Sequence, residues 1–365
     1  MRAAVAVAPG APLEIVDDLE LDDPRPGEVR VRIHHCGICH SDLTVMSAGH
    51  GLPAVLGHEA AGVVEAVGEG VHHLAAGDKV LLSALAPCGH CRACARGETS
   101  ACGEALSFLT GARPDGSTPF SRRGEPVQRG LGIGGFAEAT VIAASGAVRL
   151  DPDIPLEVAC VIGCAVQTGV GAVFNTADVR RGDRVLVMGL GGIGQAVVQG
   201  ARIAGATRII ASDPVEARRE AAGRFGATDL IDPTVDDLAA VVAELTEGEG
   251  VDVAFEAAGR AELVETGIAV TRVGGTTVMV GASPVEESVT IAPAVLFTTM
   301  QKRLLGTLLG GCVPERDIPL MVELWQAGHL DLDAMVSAHV PLDDIEVGFE
   351  RLRRAEGVRT VVDLV

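Results

Sequence analysis

Short apolar runs alternate with polar positions through the first 150 residues: EVRVRI, AAGVVEAVG, DKVLL and AEATVI, separated by turn-forming stretches such as PRPGE and AAGD. Runs of β-branched residues bounded by glycine and proline predict strands, so this region reads as all-β with irregular loops. From about residue 166 the pattern changes. DRVLVMGLGGIGQAVVQGARIAGATRIIASD predicts strand, glycine-rich turn, helix, strand, and DVAFEAAG and GTTVMVG follow as buried strands with helical segments between them. That alternation predicts a parallel, doubly wound sheet. The tail, from PLMVELWQAGHL to RTVVDLV, returns to helix and strand. The expected fold class is therefore α/β, a β-rich domain joined to a doubly wound one. The simpler arrangement is one large α/β domain with a β-rich insertion.

Composition narrows the possible roles. A chain of 365 residues is long for one core and fits two domains. A formal charge of −20 opposes nucleic acid or an anionic membrane surface as a partner. The N-terminal stretch MRAAVAVAPGAPLEIV lacks the long apolar run of a secretory signal, and no window reaches the length of a membrane span. A soluble, cytoplasmic protein is expected. Its nine cysteines then read as metal-binding or catalytic before disulfide-bonded.

The cysteines are grouped. CGHCRACARGETSAC places Cys88, Cys91, Cys94 and Cys102 within fifteen residues. Four thiolates so close suit a closed, tetrahedral structural zinc site, which clamps a loop lacking a core of its own. Arg92 and Arg96 would offset the thiolate charge. An iron–sulfur cluster takes four thiolates too, but no other feature of such a centre surrounds these.

VLVMGLGGIGQAVVQGA sets Gly189, Gly191 and Gly194 as G-x-G-x-x-G directly after a strand and opening a helix. The first glycine permits the turn, the second lets backbone approach a pyrophosphate, and the third lets helix pack on strand. Asp213 ends the next strand at close to the expected spacing and would accept hydrogen bonds from both ribose hydroxyls while repelling a 2′-phosphate, which favours NAD over NADP. Arg218 is placed to reach the adenosine ribose.

Cys39 (in CGICHSDLTV), His58 and Glu59 (in GHE) and Cys164 (in VIGCAVQTGVG) remain. A Cys₂His set leaves a fourth position open, as catalytic zinc requires. Spacing does not unite these residues, and each alone reads equally as core packing.

Taken together, GICHSD, GHEAAGVVEAVGEGV, GDKV, the four-cysteine loop, GLGGIG, FGATDLID and GVRTVV resemble the zinc-dependent medium-chain alcohol dehydrogenases along the whole chain. LSFLTGARPDGS and DPDIPLEVAC resemble the bacterial nitrosoaniline-dependent and aryl alcohol dehydrogenase-like members. The resemblance implies a GroES-like catalytic domain from residues 1–165 and 310–365, with a zinc lobe at 88–102, around a Rossmann NAD-binding domain at 166–309. It implies two Zn²⁺ per chain, NAD(H), a small-molecule alcohol or aldehyde substrate, and a homodimer or homotetramer. Cys39, His58 and Cys164 would hold the catalytic zinc, with Glu59 close to it. Asp42 would orient the zinc histidine. Thr168 and Ile193 would pack on the nicotinamide, Gly192 would open the phosphate-binding helix, and Val280 and Gly281 would meet the carboxamide. His40 and Arg359 would contact the pyrophosphate.

Ser41 would take the substrate's hydroxyl proton. Many relatives carry a histidine further along the relay where this chain has Thr44, which passes a proton but does not hold one near neutrality. His50 is the nearest substitute. Around the substrate, Ala84, Leu106, Gly130 and Leu308 are the candidate pocket residues. Small side chains at Ala84 and Gly130 would widen the site for a bulky or aromatic substrate. Leu106 stands near an arginine that binds the glutathione carboxylate in the thiol-adduct formaldehyde dehydrogenases, which counts against that activity. The competing functions are reduction of an enal or iminium with the same cofactor and a non-enzymatic binding role. Some nitrosoaniline-dependent relatives keep NAD(H) bound through turnover, a third feature left open.

Overall fold

Strand Glu28–Gly37 is the axis around which the first part of the chain is built. Its alternation of Val29, Val31 and Ile33 with charged neighbours puts those three side chains in the core at 0% exposure. The computed structural model describes residues 1–49 and 51–365. The chain forms two compact units, one of Met1–Cys164, Val313–Glu323 and Leu332–Val365, the other of Ala165–Cys312 and Leu324–Asp331.

In the first unit, seven strands make one sheet. The order is Ala147–Arg149, Lys79–Leu82, Glu59–Val67, Glu28–Gly37, Arg359–Asp363 and Val336–Pro341, with Ala139–Ala143 paired to the first half of Glu28–Gly37. The C-terminal strand Arg359–Asp363 thus completes a sheet begun by residue 28. A second, six-stranded sheet takes Glu14–Val16, Ala3–Ala6, Ala54–Val55, Glu125–Arg129, Phe120–Arg122 and Leu19–Leu21 in that order. Phe136 and Phe349 meet edge-on at 6.0 Å in the core.

The second unit is a six-stranded sheet with every neighbouring pair parallel. Its strand order is Asp229–Ile231, Arg208–Ser212, Arg184–Met188, Val251–Glu256, Thr271–Met279, Arg303–Gly306. Chain order reverses between Arg184–Met188 and Val251–Glu256, the switch point at which such sheets take a dinucleotide. Helix Gly192–Ala204 starts there.

Segment Leu324–Asp331, expected with the catalytic domain, belongs to the second unit instead. Asp331 N–H donates to Gln199 Oε1 at 2.7 Å, and Arg202 Nη2 donates to the His329 carbonyl at 2.6 Å. These are polar ties from one helix, and hydrophobic periodicity carries no trace of them.

Candidate active site

The chain enters the first cluster through helix His40–Ala48. Asp42, three residues after the helix cap, accepts the Cys39 N–H through Oδ2 at 3.0 Å and so fixes the helix start. Its other oxygen accepts the Gly57 N–H at 3.0 Å and faces His58 Nδ1 at 3.2 Å. One fully buried carboxylate therefore holds Cys39, the turn before His58 and the imidazole itself. With Nδ1–H donated to Asp42, His58 presents Nε2 as its ligand atom.

Cys39, His58, Glu59 and Cys164 each place a ligand atom within 4.8 Å of the others, and all four are buried. Glu59 opens strand Glu59–Val67, and Cys164 stands at the break between two helical segments. The Cys164 thiol, burial notwithstanding, holds Cys39 well below its ordinary value by hydrogen bonding, helped by the charges of His58 and Arg359. Cys164 is driven up by the same bond and by burial. Burial would neutralise His58, but the Asp42 and Cys39 charges outweigh it and raise its affinity for a proton. Burial also lifts Glu59 to about 8, against the Arg359 charge.

Arg359 is the residue whose setting the sequence did not reveal. It is buried, donating through Nη1 to the Ile38 carbonyl at 2.9 Å, with Nε 3.0 Å from Glu59 Oε2. In this position Arg359 is the counter-charge for Glu59. That ion pair lacks hydrogen-bond alignment, so neither Glu59 oxygen has a hydrogen-bond partner among the described residues. Two thiols, an imidazole and a buried carboxylate without donors make a donor set that fits Zn²⁺.

Ser41 Oγ lies 3.8 Å from Cys39 Sγ, beside this set. His40 is exposed at the helix start. Thr44 is exposed, and its hydroxyl donates to the His40 carbonyl at 3.1 Å, so its proton is directed at the helix backbone. His50 lies outside the described residues.

In the cysteine lobe, Cys88, Cys91, Cys94 and Cys102 converge within the same 4.8 Å limit. Cys91 and Cys94 Sγ are 3.6 Å apart, and Cys88 and Cys94 Sγ 3.9 Å. A zinc tetrahedron with arms of about 2.3 Å has edges of about 3.8 Å, so the lobe fits the ion. Burial raises Cys102, but N–H groups of Cys88, Ala105 and Glu104 and the Cys88 thiol bring it to about 6.

One pocket expectation changes. Ala84 is buried and small, as expected. Gly130 leaves no added space, because a Cβ there would collide with Leu56 Cδ2 and lie 2.8 Å from the Val55 carbonyl. A neighbour already fills the volume that the glycine gives up. Leu106 is 38% exposed on the helical turn Ala105–Leu109.

In the second unit, a Cβ on Gly194 would collide with the Gly189 carbonyl, whereas one on Gly191 would meet nothing within 4 Å. The third glycine is thus required by packing, and the second faces space, as a phosphate seat requires. Gly192 and Ile193 are half-buried in the first turn of the helix. Asp213 is buried, accepting the Leu190 N–H at 2.7 Å and the Val215 N–H at 2.8 Å. The carboxylate expected on the ribose therefore also braces the glycine turn. Arg218 Nη1 stands 3.8 Å from it.

Val280 and Gly281 both give their N–H groups to the Glu256 carbonyl, at 2.8 and 3.0 Å. Only their carbonyls remain for a carboxamide. Thr168 is buried with no partner for its hydroxyl among the described residues, and Leu308 is half-buried. Sequence reasoning missed two braces of this site. Gln195 Nε2 donates to the carbonyls of Leu190 and Arg218, and Glu256 Oε1 accepts from Ala258 and Gly259, both at 2.7 Å. The available signal was a polar residue inside each otherwise apolar segment, GIGQAVV and DVAFEAAG.

A cation site with a carboxylate beside it, on a chain that also folds a dinucleotide-binding sheet, defines a metal-assisted, nicotinamide-linked dehydrogenase. Residues 25–153 match the family Alcohol dehydrogenase GroES-like domain, and residues 192–327 match Zinc-binding dehydrogenase. An NDMA-dependent alcohol dehydrogenase of Amycolatopsis methanolica is 40% identical over 99% of this chain and 98% of its own length. An S-(hydroxymethyl)glutathione dehydrogenase of Escherichia coli O1:K1 is 39% identical over 99% of both. The crystal structure of benzyl alcohol dehydrogenase from Acinetobacter calcoaceticus superposes with a TM-score of 0.94 at 31% identity, covering 100% of this chain and 99% of that one. The chain belongs to the zinc-dependent medium-chain alcohol dehydrogenases, with the GroES-like and Rossmann architecture of that family and its zinc and NAD(H).

Proposed function

We propose that this protein interconverts a bulky or aromatic alcohol and its aldehyde with NAD⁺/NADH. The observation that carries the reading is the convergence of Cys39, His58, Glu59 and Cys164. Cys39, His58 and Cys164 would hold a zinc ion, which when bound would supply Lewis-acid polarisation of the substrate oxygen. Asp42 keeps His58 in the tautomer that binds, and Glu59 stays beside the metal with Arg359 as its counter-charge. In the oxidative direction Ser41 would accept the hydroxyl proton while releasing its own, and bound NAD⁺ would take the carbinol hydride with its electron pair. Thr44 carries a proton onward only if its own hydroxyl proton leaves the His40 carbonyl; otherwise Ser41 passes its proton to solvent.

The turn Gly189–Gly194 would hold NAD(H), with Asp213 and Arg218 toward the ribose, Thr168 and Ile193 toward the nicotinamide and the Val280 and Gly281 carbonyls available to the carboxamide. The small, buried Ala84 and the likeness to a benzyl alcohol dehydrogenase support a wide pocket, with Leu106 as a further wall. Leu106 in place of an arginine argues against a glutathione adduct. Reduction of an enal or iminium is the second reading, favoured by the committed Thr44 hydroxyl. Exposed apolar residues Val295 and Leu296, near the edge strand Arg303–Gly306, support a homo-oligomer.

The test is kcat/KM with NAD⁺ for benzyl alcohol, ethanol and S-hydroxymethylglutathione. Benzyl alcohol should exceed ethanol by about tenfold or more, the scale at which pocket contacts discriminate. Preference for ethanol or for the glutathione adduct overturns the substrate assignment.

A further inference from the structure

Three side chains away from the proposed reaction converge on the first unit's large sheet. Strands Glu28–Gly37, Arg359–Asp363 and Val336–Pro341 lie side by side. Asp363 pairs directly with His35 across the antiparallel ladder, and its diagonal neighbour on the parallel side is His339, which pairs with Val361. Since alternate residues share a face, this register places His35, Asp363 and His339 on the same side of three adjacent strands.

Both imidazoles aim Nδ1 at the same oxygen. His35 Nδ1 and His339 Nδ1 each stand 2.9 Å from Asp363 Oδ1. One ligand atom from each of the three residues lies within 4.8 Å of the others. The rings stand edge to face, 6.2 Å between centroids. Side-chain exposures of 19%, 34% and 41% for His35, Asp363 and His339 leave the group open to solvent. Burial therefore does not force this convergence, because water could satisfy each imidazole separately.

We propose that His35, His339 and Asp363 form a third transition-metal site, distinct from both cysteine-containing clusters. Two imidazole nitrogens and one carboxylate oxygen are a borderline donor set, suited to Zn²⁺, Ni²⁺ or Cu²⁺ rather than to Ca²⁺ or Mg²⁺. Tetrahedral arms of about 2.0–2.2 Å require ligand atoms about 3.4 Å apart, reached when the two imidazoles open by about half an ångström around the carboxylate. Water completes the coordination. The strands hold the ligands near the required spacing, because neighbouring strands lie about 4.8 Å apart.

The site has a mechanical consequence. It ties the C-terminal strand to its neighbours on both sides. That strand begins at Arg359, which pairs with Glu59, and strand Glu28–Gly37 leads into Cys39. Metal bound only by the folded sheet stabilises that sheet by mass action.

The test uses the full protein carrying its cysteine-bound zinc. Ni²⁺ is titrated calorimetrically into wild type, H339A and H35N, and zinc is counted by elemental analysis before and after. Wild type should take up one equivalent of Ni²⁺ without releasing zinc, and its melting temperature should rise. Each variant should bind Ni²⁺ about tenfold or more weakly and lose the rise, with zinc content and basal alcohol oxidation unchanged. Copper-loaded wild type should show hyperfine splitting from two nitrogens in its electron paramagnetic resonance spectrum, and H339A from at most one. Wild type that takes up no Ni²⁺, takes it up only by displacing zinc, or binds it no better than folded H339A and H35N overturns the proposal.

Discussion

Asp42 links more of the site than any ligand does. It accepts from Cys39 N–H and Gly57 N–H and faces His58 Nδ1, so its charge sets backbone and imidazole together. Asp42→Asn should weaken zinc at the Cys39 cluster by about 10–100-fold while leaving the four-cysteine lobe loaded. Zinc retained after dialysis against a chelator measures this, and wild-type retention would count against the role. Away from the site, Arg113 is a buried cation with two carboxylate partners: Nε and Nη2 donate to Glu28 at 2.8 and 3.0 Å, and Nη1 to Asp22 at 2.6 Å. Burial pushes the Glu28 carboxyl up, but the Arg113 bonds outweigh it and leave it below its ordinary 4.5. A folded value below the unfolded one means stabilisation that is complete above about pH 4.5 and lost as pH falls through the folded value. Glu28→Gln should therefore cost about 2 kcal/mol at neutral pH and progressively less below pH 4. Urea midpoints of both proteins from pH 7 to 3 give the answer; a gap that stays constant across that range contradicts it.

At the scale of elements, the glycine turn separates folding from binding. Gly191 faces space at φ −69°, so Gly191→Ala should fold with a nearly unchanged melting temperature yet bind NADH about tenfold or more weakly. Gly194→Ala should lose stability as well, because its Cβ would collide with the Gly189 carbonyl. NADH fluorescence titration beside thermal melts distinguishes the two, and wild-type affinity in Gly191→Ala would show that the turn does not seat the phosphates. The sequence made this element legible because its chemistry is local: turn, helix and strand lie within one short stretch. The four-cysteine lobe was legible for the same reason. Arg359 was not, since its partner Glu59 lies 300 positions away in the chain and only the fold aligns them. Gly130 misled because residue size alone does not say whether a neighbour, here Leu56, occupies the space. Asp213 was legible as a carboxylate at a strand end, but its bonds to Leu190 and Val215 depend on how the turn folds back.

At the scale of the molecule, the first unit draws residues from both chain ends into one sheet, and the cluster of Cys39, His58 and Cys164 comes from three separated segments. Strand periodicity indicated β-rich and doubly wound parts correctly, yet strand order, the third neighbour of Glu28–Gly37 and the placement of Leu324–Asp331 are long-range outcomes that no local pattern encodes. The central claim is that this fold brings together a catalytic zinc site, separate from the structural one, for NAD-linked alcohol oxidation. It is tested most directly by zinc content measured beside NAD⁺-dependent benzyl alcohol oxidation, in wild type and in Cys39→Ser. The account predicts two zinc ions per chain and activity in wild type, and one zinc ion with activity lost in the folded variant. Cys39→Ser that retains both zinc ions and wild-type turnover would contradict it.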